Sequence, residues 1–582
     1  MPSATIPRLG SVLLLAVLAV CAACGKAPAP GTDAPTIRGF HIDMNIAQFR
    51  GPYLRSWLKR LAGEGYNTII WEVENNIRWE TCPECVSPDA FTKAEFKDIL
   101  AYSRSLGLEP VPLLQTIGHC EYVLKNAKYK PLAEVPDRID QYCPRNPDVA
   151  TFLKKWIGEY LEVFGEVRTF HLGADEAYTL GECPRCRAYA AEHSLSELYI
   201  DHINTVSQPL IDRGIRPAIW GDMILHHPEA LSKLSRRIVI YDWLYDRYQG
   251  CGTVQIWGKG SLAPEELDAA SLARFGRFIY PLGDEPGRDA DPFYTADYLA
   301  ANGFDVVVCP SSSCYGDSVF APRTFFHMRN TADSFRKGSA AGLRGAVLTS
   351  WTVHLFPWEL QLPSIELPAF LVRDPGATLG DFERDYVRRH FGTDDLGFFE
   401  AAGRLARRGL FNYAADMGFF KDALPAPPDY VQKRVEEIAR KGEIEKELAA
   451  CGLRSKEYEQ GLKMLMAYDK KAMSGHAELG AWILAGRNLL FRAEASYLLL
   501  RARQGHGQAV VSNGVAGDID AAQAADARLL LASMRFLRHE TEAAVAERIK
   551  PSRTAEIMSW MYDPMEAALS RLAAGTSAIE RK

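Results

Sequence analysis

Between Arg38 and Asp374 short apolar runs alternate with amphipathic stretches, a rhythm that predicts repeated β/α units. The runs read as strands at Gly39–Met44, Thr68–Val73, Pro110–Leu114, Val167–Leu172, Pro217–Trp220, Ile238–Trp243, Asp305–Cys309 and Ala346–Trp351. Eight is the number that closes a parallel (β/α)8 TIM barrel of the α/β class, a count that the motifs described below support more than the periodicity does. The interval 244–304 is long for one connection, and Arg277–Leu282 inside it is a further strand or a substitute for the seventh. After Asp374-Pro-Gly376 the period lengthens to that of helices, as in Val431–Ala450, Gly480–Arg503 and Ala521–Glu547. Gly505-His-Gly507 and Ser512-Asn-Gly514 read as turns between them. The expected organisation is a barrel over residues 38–375 followed by an all-helical C-terminal domain over 376–582.

The first residues carry a different pattern. Arg8 precedes the apolar run Val12–Val20, which is too short for an ordinary membrane span and reads as an export signal. The run ends in Cys21-Ala-Ala-Cys24-Gly25, which resembles a bacterial lipoprotein cleavage box with Cys24 as the lipidated residue. Ordinary signal-peptidase cleavage is the competing reading. On the lipoprotein reading residues 1–23 are removed, and residues 24–37, with Pro28, Pro30 and Pro35, tether the protein to the membrane. Gly25 follows the cysteine where an aspartate would favour inner-membrane retention, so the expected location is the outer membrane, facing the periplasm or the cell surface.

Composition narrows the partners. At 582 residues the chain exceeds one ordinary core, and 47% hydrophobic with 24% charged residues is a globular composition. A net charge of -6 argues against nucleic acid as the main partner.

The densest chemistry lies at His171-Leu-Gly-Ala-Asp175-Glu176. The predicted fourth strand ends just before the two acids. Neighbouring side chains on a strand face opposite ways, so both can serve one pocket only if the backbone breaks, and Gly173 permits a break. Adjacent acids at a strand's C-terminal end occupy the active face of a barrel enzyme. A helix N-cap is the plain structural alternative.

This motif resembles the signature of glycoside hydrolase family 20, the β-N-acetylhexosaminidases, and other segments resemble that family in the same order. They are Arg38-Gly-Phe-His-Ile-Asp43, Leu114-Gln-Thr-Ile-Gly-His119-Cys-Glu121, Trp220-Gly-Asp222-Met223, Asp242-Trp243-Leu-Tyr245 and Leu348-Thr-Ser-Trp351 followed by Trp358-Glu359. The form Gln-Thr-Xaa-Gly-His is similar to that of the hexosaminidase D-like branch. Two positions depart from the pattern: Gln115 stands where many members carry aspartate, and Gly221 replaces the first acid of Trp-Asp-Asp.

The resemblance implies an exo-acting enzyme that removes terminal β-linked GlcNAc or GalNAc from glycans with retention. It implies Glu176 as general acid and base, and Asp175 as the residue that orients the substrate's acetamide through an oxazolinium ion. It also implies Arg38, His119, Asp222 and Glu359 as sugar contacts, and no cofactor for catalysis. A carboxylate next to Glu176 would raise its proton affinity, as a proton donor at neutral pH requires. Trp220, Trp243 and Trp351 sit at strand ends where indoles can wall a pocket, and Tyr245, Tyr241 or Tyr315 can donate to an acetamide carbonyl. A related glycosidase such as a lacto-N-biosidase and a non-catalytic glycan-binding lipoprotein are the alternatives. Cys82-Pro-Glu-Cys85 and Cys183-Pro-Arg-Cys186 follow the second and fourth strands, and structural zinc, disulfides and free thiols all remain open for them. Oligomeric state is not legible.

Overall fold

The computed structural model describes residues 36–281, 289–340, 342–355, 357–414, 427–513 and 521–575, with backbone alone at 506–513. The export signal, Cys24 and almost all of the tether lie outside the described residues, as do Leu282 and Gly514.

Eight parallel strands form a closed barrel: β1 Ile37–Asp43, β2 Thr68–Glu72, β3 Glu109–Leu113, β4 Thr169–His171, β5 Arg216–Trp220, β6 Val239–Trp243, β7 Asp305–Cys309 and β8 Gly345–Ser350. Closure runs from Ile37 opposite Gly345 to Phe40 opposite Leu348. Gly39 is needed at this seam, since a Cβ there would fall 2.5 Å from Cγ2 of Val347. The period-2 alternation divides each strand between two cores. Val111 and Leu113, Ala218 and Trp220, and Val239 and Tyr241 point into the barrel. Ile219 and Ile240, one residue out of phase, pack outward beneath the helices.

The connections start and stop on local signals. Helix Lys93–Ser105 begins at a capping box between Thr92 and Glu95. Helix Pro147–Phe164 starts from an Asn146 cap with Pro147 in its first turn and stops at Gly165, φ 69°. The long interval after β6 holds a hairpin, Val254–Ile256 with Gly260–Leu262, and two helices, Ala269–Ile279 and Tyr294–Ala301. Arg277 to Ile279 is therefore helical, correcting the extra-strand reading. Asp268 caps that helix, and buried Ser271, Phe275 and Ile279 recur every four residues, a helical stripe.

Beyond helix Leu362–Arg373 the described chain is helical, with segments Leu379–Phe391, Gly397–Leu405, Tyr430–Arg440, Ile444–Asp469, His476–Asn513, Ala521–Arg548 and Pro551–Ala573. The stretch expected as one helix over Val431–Ala450 is broken at Gly442, φ 71°. Gly505-His-Gly507 is not a turn but lies inside helix His476–Asn513. The helices continue the compact unit that begins at Ile37.

The seam between helices and barrel is polar and specific. Phe49 and Ile549 form an antiparallel bridge, flanked by Arg50 N to Arg548 O and Lys550 N to Gln48 O, each 2.8 Å. Lys550 Nζ donates to the Asp89 carbonyl at 2.7 Å. His390 sits between Glu366 and Glu478, at 2.9 and 2.8 Å.

Candidate active site

β4 is short, and the backbone bends sharply after it. Gly173, Ala174 and Glu176 have φ of 61°, 76° and 49°. Among the described residues, four of the five non-glycines with positive φ are Glu74, His119, Ala174 and Glu176, in the loops after β2, β3 and β4. Such conformations cost of order 1–3 kcal/mol each and persist only where the surroundings hold them. Here the surroundings are explicit. Tyr199 Oη donates to the Ala174 carbonyl at 2.7 Å, Trp220 N to that of Gly173 at 3.0 Å, and Thr116 Oγ1 to that of Leu172 at 2.7 Å. The β3 loop lies directly on this bend, because a Cβ at Gly118 would fall 2.0 Å from the Asp175 carbonyl oxygen.

The break turns both acids to one side. Nε2 of His119 lies 3.1 Å from Oδ2 of Asp175 and 3.2 Å from Oε2 of Glu176. Asp175 is buried, while the Glu176 side chain retains 38% of its exposure. Asp222 is the third acid. Its Oδ2 accepts the Glu176 backbone N–H at 2.9 Å and its Oδ1 accepts Trp243 Nε1 at 3.2 Å. Burial, then the charge of Asp175, pushes the Asp222 carboxyl up to about 8, so it holds its proton at neutral pH. Asp222 is the most deeply enclosed of the three acids and is the one that stays neutral.

Below the acids the barrel interior is aromatic. Trp220 is fully buried, with His171 at 4.4 Å, His41 at 6.1 Å and Trp351 at 6.0 Å between ring centroids. His171 Nδ1 accepts the Gly173 N–H at 3.0 Å, and burial holds this imidazole down at about 3, so it is neutral with its proton on Nε2. Trp243 stacks on Tyr245 at 4.9 Å, and Tyr245 lies 6.3 Å from Trp351. Trp220, Trp243, Tyr245 and Trp351 therefore form one continuous aromatic surface. Tyr241 points inward against His171 at 4.8 Å, whereas Tyr315 is largely exposed beside His354.

Two expected sugar contacts lie elsewhere. Arg38 occupies the N-terminal end of β1 and its Nε donates to the Gly65 carbonyl at 2.8 Å, on the barrel face opposite the acids. The C-terminal end of that strand instead presents His41, which meets Glu72 at 2.9 Å, and Asp43, which accepts from Thr352 N at 2.8 Å. Glu359 is held by Arg548 at 3.1 Å and by Tyr53 Oη at 3.2 Å, as part of the seam to the helices. Gln115 does not reach for His119: its Nε2 donates to Glu72 at 3.0 Å and its Oε1 accepts the Ala174 N–H at 3.3 Å. It anchors the bend.

Several neighbours had no sequence signal. Trp257, from the hairpin after β6, meets Trp243 edge-on at 4.5 Å. Tyr178 donates to Glu176 Oε1 at 3.4 Å. Gln141 accepts the Thr179 N–H at 2.9 Å and links the β3 and β4 loops. Of the alternatives open for the paired cysteines, Cys82 and Cys85 take the disulfide, bonded to each other, while Cys183 and Cys186 are free thiols.

Residues 55–258 match the family model "Glycosyl hydrolase family 20, catalytic domain". The chain is 27% identical to human hexosaminidase D over 261 residues, covering 40% of this chain and 54% of that protein. It is 29% identical to the Bos taurus hexosaminidase D over 198 residues, covering 33% and 57%. The chain thus spans little more than half the length of these relatives. A solved Vibrio harveyi family 20 exo-β-N-acetylglucosaminidase superposes with a TM-score of 0.43 at 16% identity, over 60% of this chain and 56% of that one. Across β2 to β6, and the loops that carry His119, Asp175, Glu176 and Asp222, the chain matches a glycoside hydrolase catalytic domain of family 20.

Proposed function

We propose that this protein is an exo-acting β-N-acetylhexosaminidase that works with retention through the substrate's own acetamide. The observation that carries the reading is the convergence of Asp175 and Glu176 on His119 Nε2, at 3.1 and 3.2 Å, at the mouth of an aromatic-lined barrel. The two acids differ as their roles require. Glu176, partly exposed, protonates the leaving oxygen and then takes a proton from an entering water. Asp175, buried, orients the acetamide N–H so that its carbonyl oxygen attacks the anomeric carbon, and it balances the charge of the oxazolinium ion. Most glycosidases place two carboxylates on opposite sides of the bond, and family 20 is an exception in using the substrate. Adjacent acids on one side suit that exception.

Trp220, Trp243, Tyr245 and Trp351 enclose the acetamide methyl, and His119 and Asp222 contact sugar hydroxyls. Asp222 as a neutral acid can also donate a hydrogen bond. Catalysis on this reading needs no cofactor. The lipoprotein-like leader supports placement of the enzyme on the outer membrane through Cys24, and labelled palmitate incorporation that survives Cys24→Ser would refute that placement.

The test is hydrolysis of p-nitrophenyl β-GlcNAc and β-GalNAc beside Asp175→Asn and Glu176→Gln. General acid catalysis contributes about 100- to 10,000-fold. Glu176→Gln should lose that factor on alkyl glycosides and much less on nitrophenyl ones. Equal losses on both would remove Glu176 as the proton donor. Release of a disaccharide from lacto-N-biose glycosides alone would replace the monosaccharide reading, and a sugar bound but never cleaved would replace catalysis by binding.

A further inference from the structure

Three cysteines and a glutamate meet where the β3 and β4 loops come together, away from the acids. Sγ of Cys143 lies 3.6 Å from that of Cys183 and 3.6 Å from that of Cys186. Oε2 of Glu134 lies 3.1 Å from Sγ of Cys186, while its Oε1 accepts the Cys183 N–H at 2.9 Å. The four ligand atoms all fall within 4.8 Å of one another. A tetrahedral Zn²⁺ with Zn–S near ~2.3 Å and Zn–O near ~2.0 Å separates its sulfurs by about 3.8 Å and sulfur from oxygen by about 3.5 Å. The observed sulfur separations of 3.6 Å and the sulfur–oxygen separation of 3.1 Å lie close to that size.

Two features of the surroundings favour thiolates, while burial and the Glu134 carboxylate beside Cys186 oppose them in the absence of a cation. Cys183 caps helix Pro184–Glu192, and its sulfur accepts the Cys186 N–H at 3.4 Å. The Arg185 guanidinium lies 3.9 Å from Cys143 Sγ. A helix N-terminus and a nearby cation both favour the deprotonated sulfur. Glu134, Cys143 and Cys186 are buried and Cys183 is partly so, which leaves little room for an exchangeable water. Disulfide pairing cannot satisfy three cysteines at once. One would be left over, whereas a metal uses all three.

We propose that Glu134, Cys143, Cys183 and Cys186 bind one structural Zn²⁺. Four protein ligands close the coordination sphere, so the ion fastens rather than catalyses. What it fastens is specific. Glu134 and Cys143 belong to the loop that carries His119, and Cys183 and Cys186 directly follow Asp175 and Glu176. The ion ties the loop that carries His119 to the loop that carries both acids. Binding sends the three thiol protons to solvent, so affinity rises with pH.

The test does not depend on activity. The full chain, purified without chelator or immobilised metal, should contain one zinc per chain that dialysis does not remove and an organomercurial releases. Cobalt substitution should give the near-ultraviolet thiolate-to-cobalt charge-transfer band and the intense visible bands of a tetrahedral site. Cys143→Ser should lower the zinc content to background. Glu134→Gln, which keeps the three sulfurs, should weaken zinc binding roughly 10-fold or more and shift the visible cobalt bands. If Cys143→Ser does not fold, the wild-type cobalt spectrum decides. A wild-type protein that carries no zinc and gives no thiolate–cobalt band overturns the proposal. So does peptide mapping that finds Cys143 disulfide-linked to Cys183 or Cys186 in the native protein.

Discussion

Gly118→Ala is the sharpest single test of how the acids are held. The added methyl would stand 2.0 Å from the Asp175 carbonyl oxygen, 3.2 Å from its carbonyl carbon and 3.4 Å from the Glu176 carbonyl carbon. All three are backbone atoms, so no side chain can swing aside. A carbon–oxygen contact relaxes at about 3.3 Å, so the β3 and β4 loops must part by about 1.3 Å. Overpacking of this kind costs about 1–3 kcal/mol of stability. A misplacement of about 1 Å in a catalytic geometry costs about 100-fold in rate, equivalent to about 2.7 kcal/mol. The expected outcome is a folded protein with kcat/KM for a nitrophenyl N-acetylhexosaminide lowered about 100-fold and a lower unfolding midpoint. Gly158→Ala is the control, because Gly158 lies inside helix Pro147–Phe164 and a methyl added there would meet nothing within 4 Å. It should leave kcat/KM unchanged and stabilise by about 0.5–1 kcal/mol. Wild-type kcat/KM in Gly118→Ala would refute the argument that loop contact positions Asp175 and Glu176.

Glu359→Gln should lower stability by about 1–2 kcal/mol through the half-buried pair with Arg548, with KM unchanged; a raised KM would return Glu359 to the sugar site. Asp222, raised to about 8 by its burial and then by Asp175, is neutral at pH 7, and the proton it holds is lost as pH rises through that value. Activity should therefore fall above about pH 8 in the wild type, and Asp222→Asn should remove that limb; a limb that persists in the variant assigns it to another group. Burial alone would lower His390, but its hydrogen bonds to Glu366 and Glu478 outweigh that and raise it to about 9. Burial alone would raise Glu366, but hydrogen bonding and charge from His390 outweigh that and hold it at about 2. The stability from His390 is complete below the unfolded histidine pKa of about 6.5 and is lost as pH rises through about 9, while that from Glu366 is complete above about 4.5 and is lost as pH falls through about 2. Denaturant titrations should show stability falling between about pH 7 and 9 by on the order of 3 kcal/mol, and His390→Gln should flatten that slope.

The strands were legible because each is a short apolar run bounded by turn residues, and β7 over Asp305–Cys309 matches to the residue. The acids and His119 were legible because the resemblance lies in continuous motifs at strand ends. Arg38 was misplaced for a physical reason: parallel strands all enter at one face, so the first residues of a motif on β1 point away from the face where its last residues act. Glu359 failed differently, because the loop after β8 turns its carboxylate outward to Arg548, a partner 189 residues away. Trp257, Cys143 and Glu134 carry no local pattern at all. Long connections bring them in, and only closure of the barrel shows where those connections end.

The bridge between Phe49 and Ile549 has a consequence for how the chain comes to be folded. Residues 48–50 complete their backbone hydrogen bonds with residues 548–550, and the Arg50 side chain reaches the Ile549 carbonyl across 499 positions. That first barrel loop is among the earliest segments to emerge and its partner among the last, whether the chain leaves the ribosome or an export channel. A nascent barrel can close β1 onto β8 well before then, yet the edge beside Phe49 stays open to water, chaperones or another chain until the last two helices arrive. The helices after residue 521 thus act late and from the far end, and a chain cut short before Arg548 would form a barrel with its first loop unsealed.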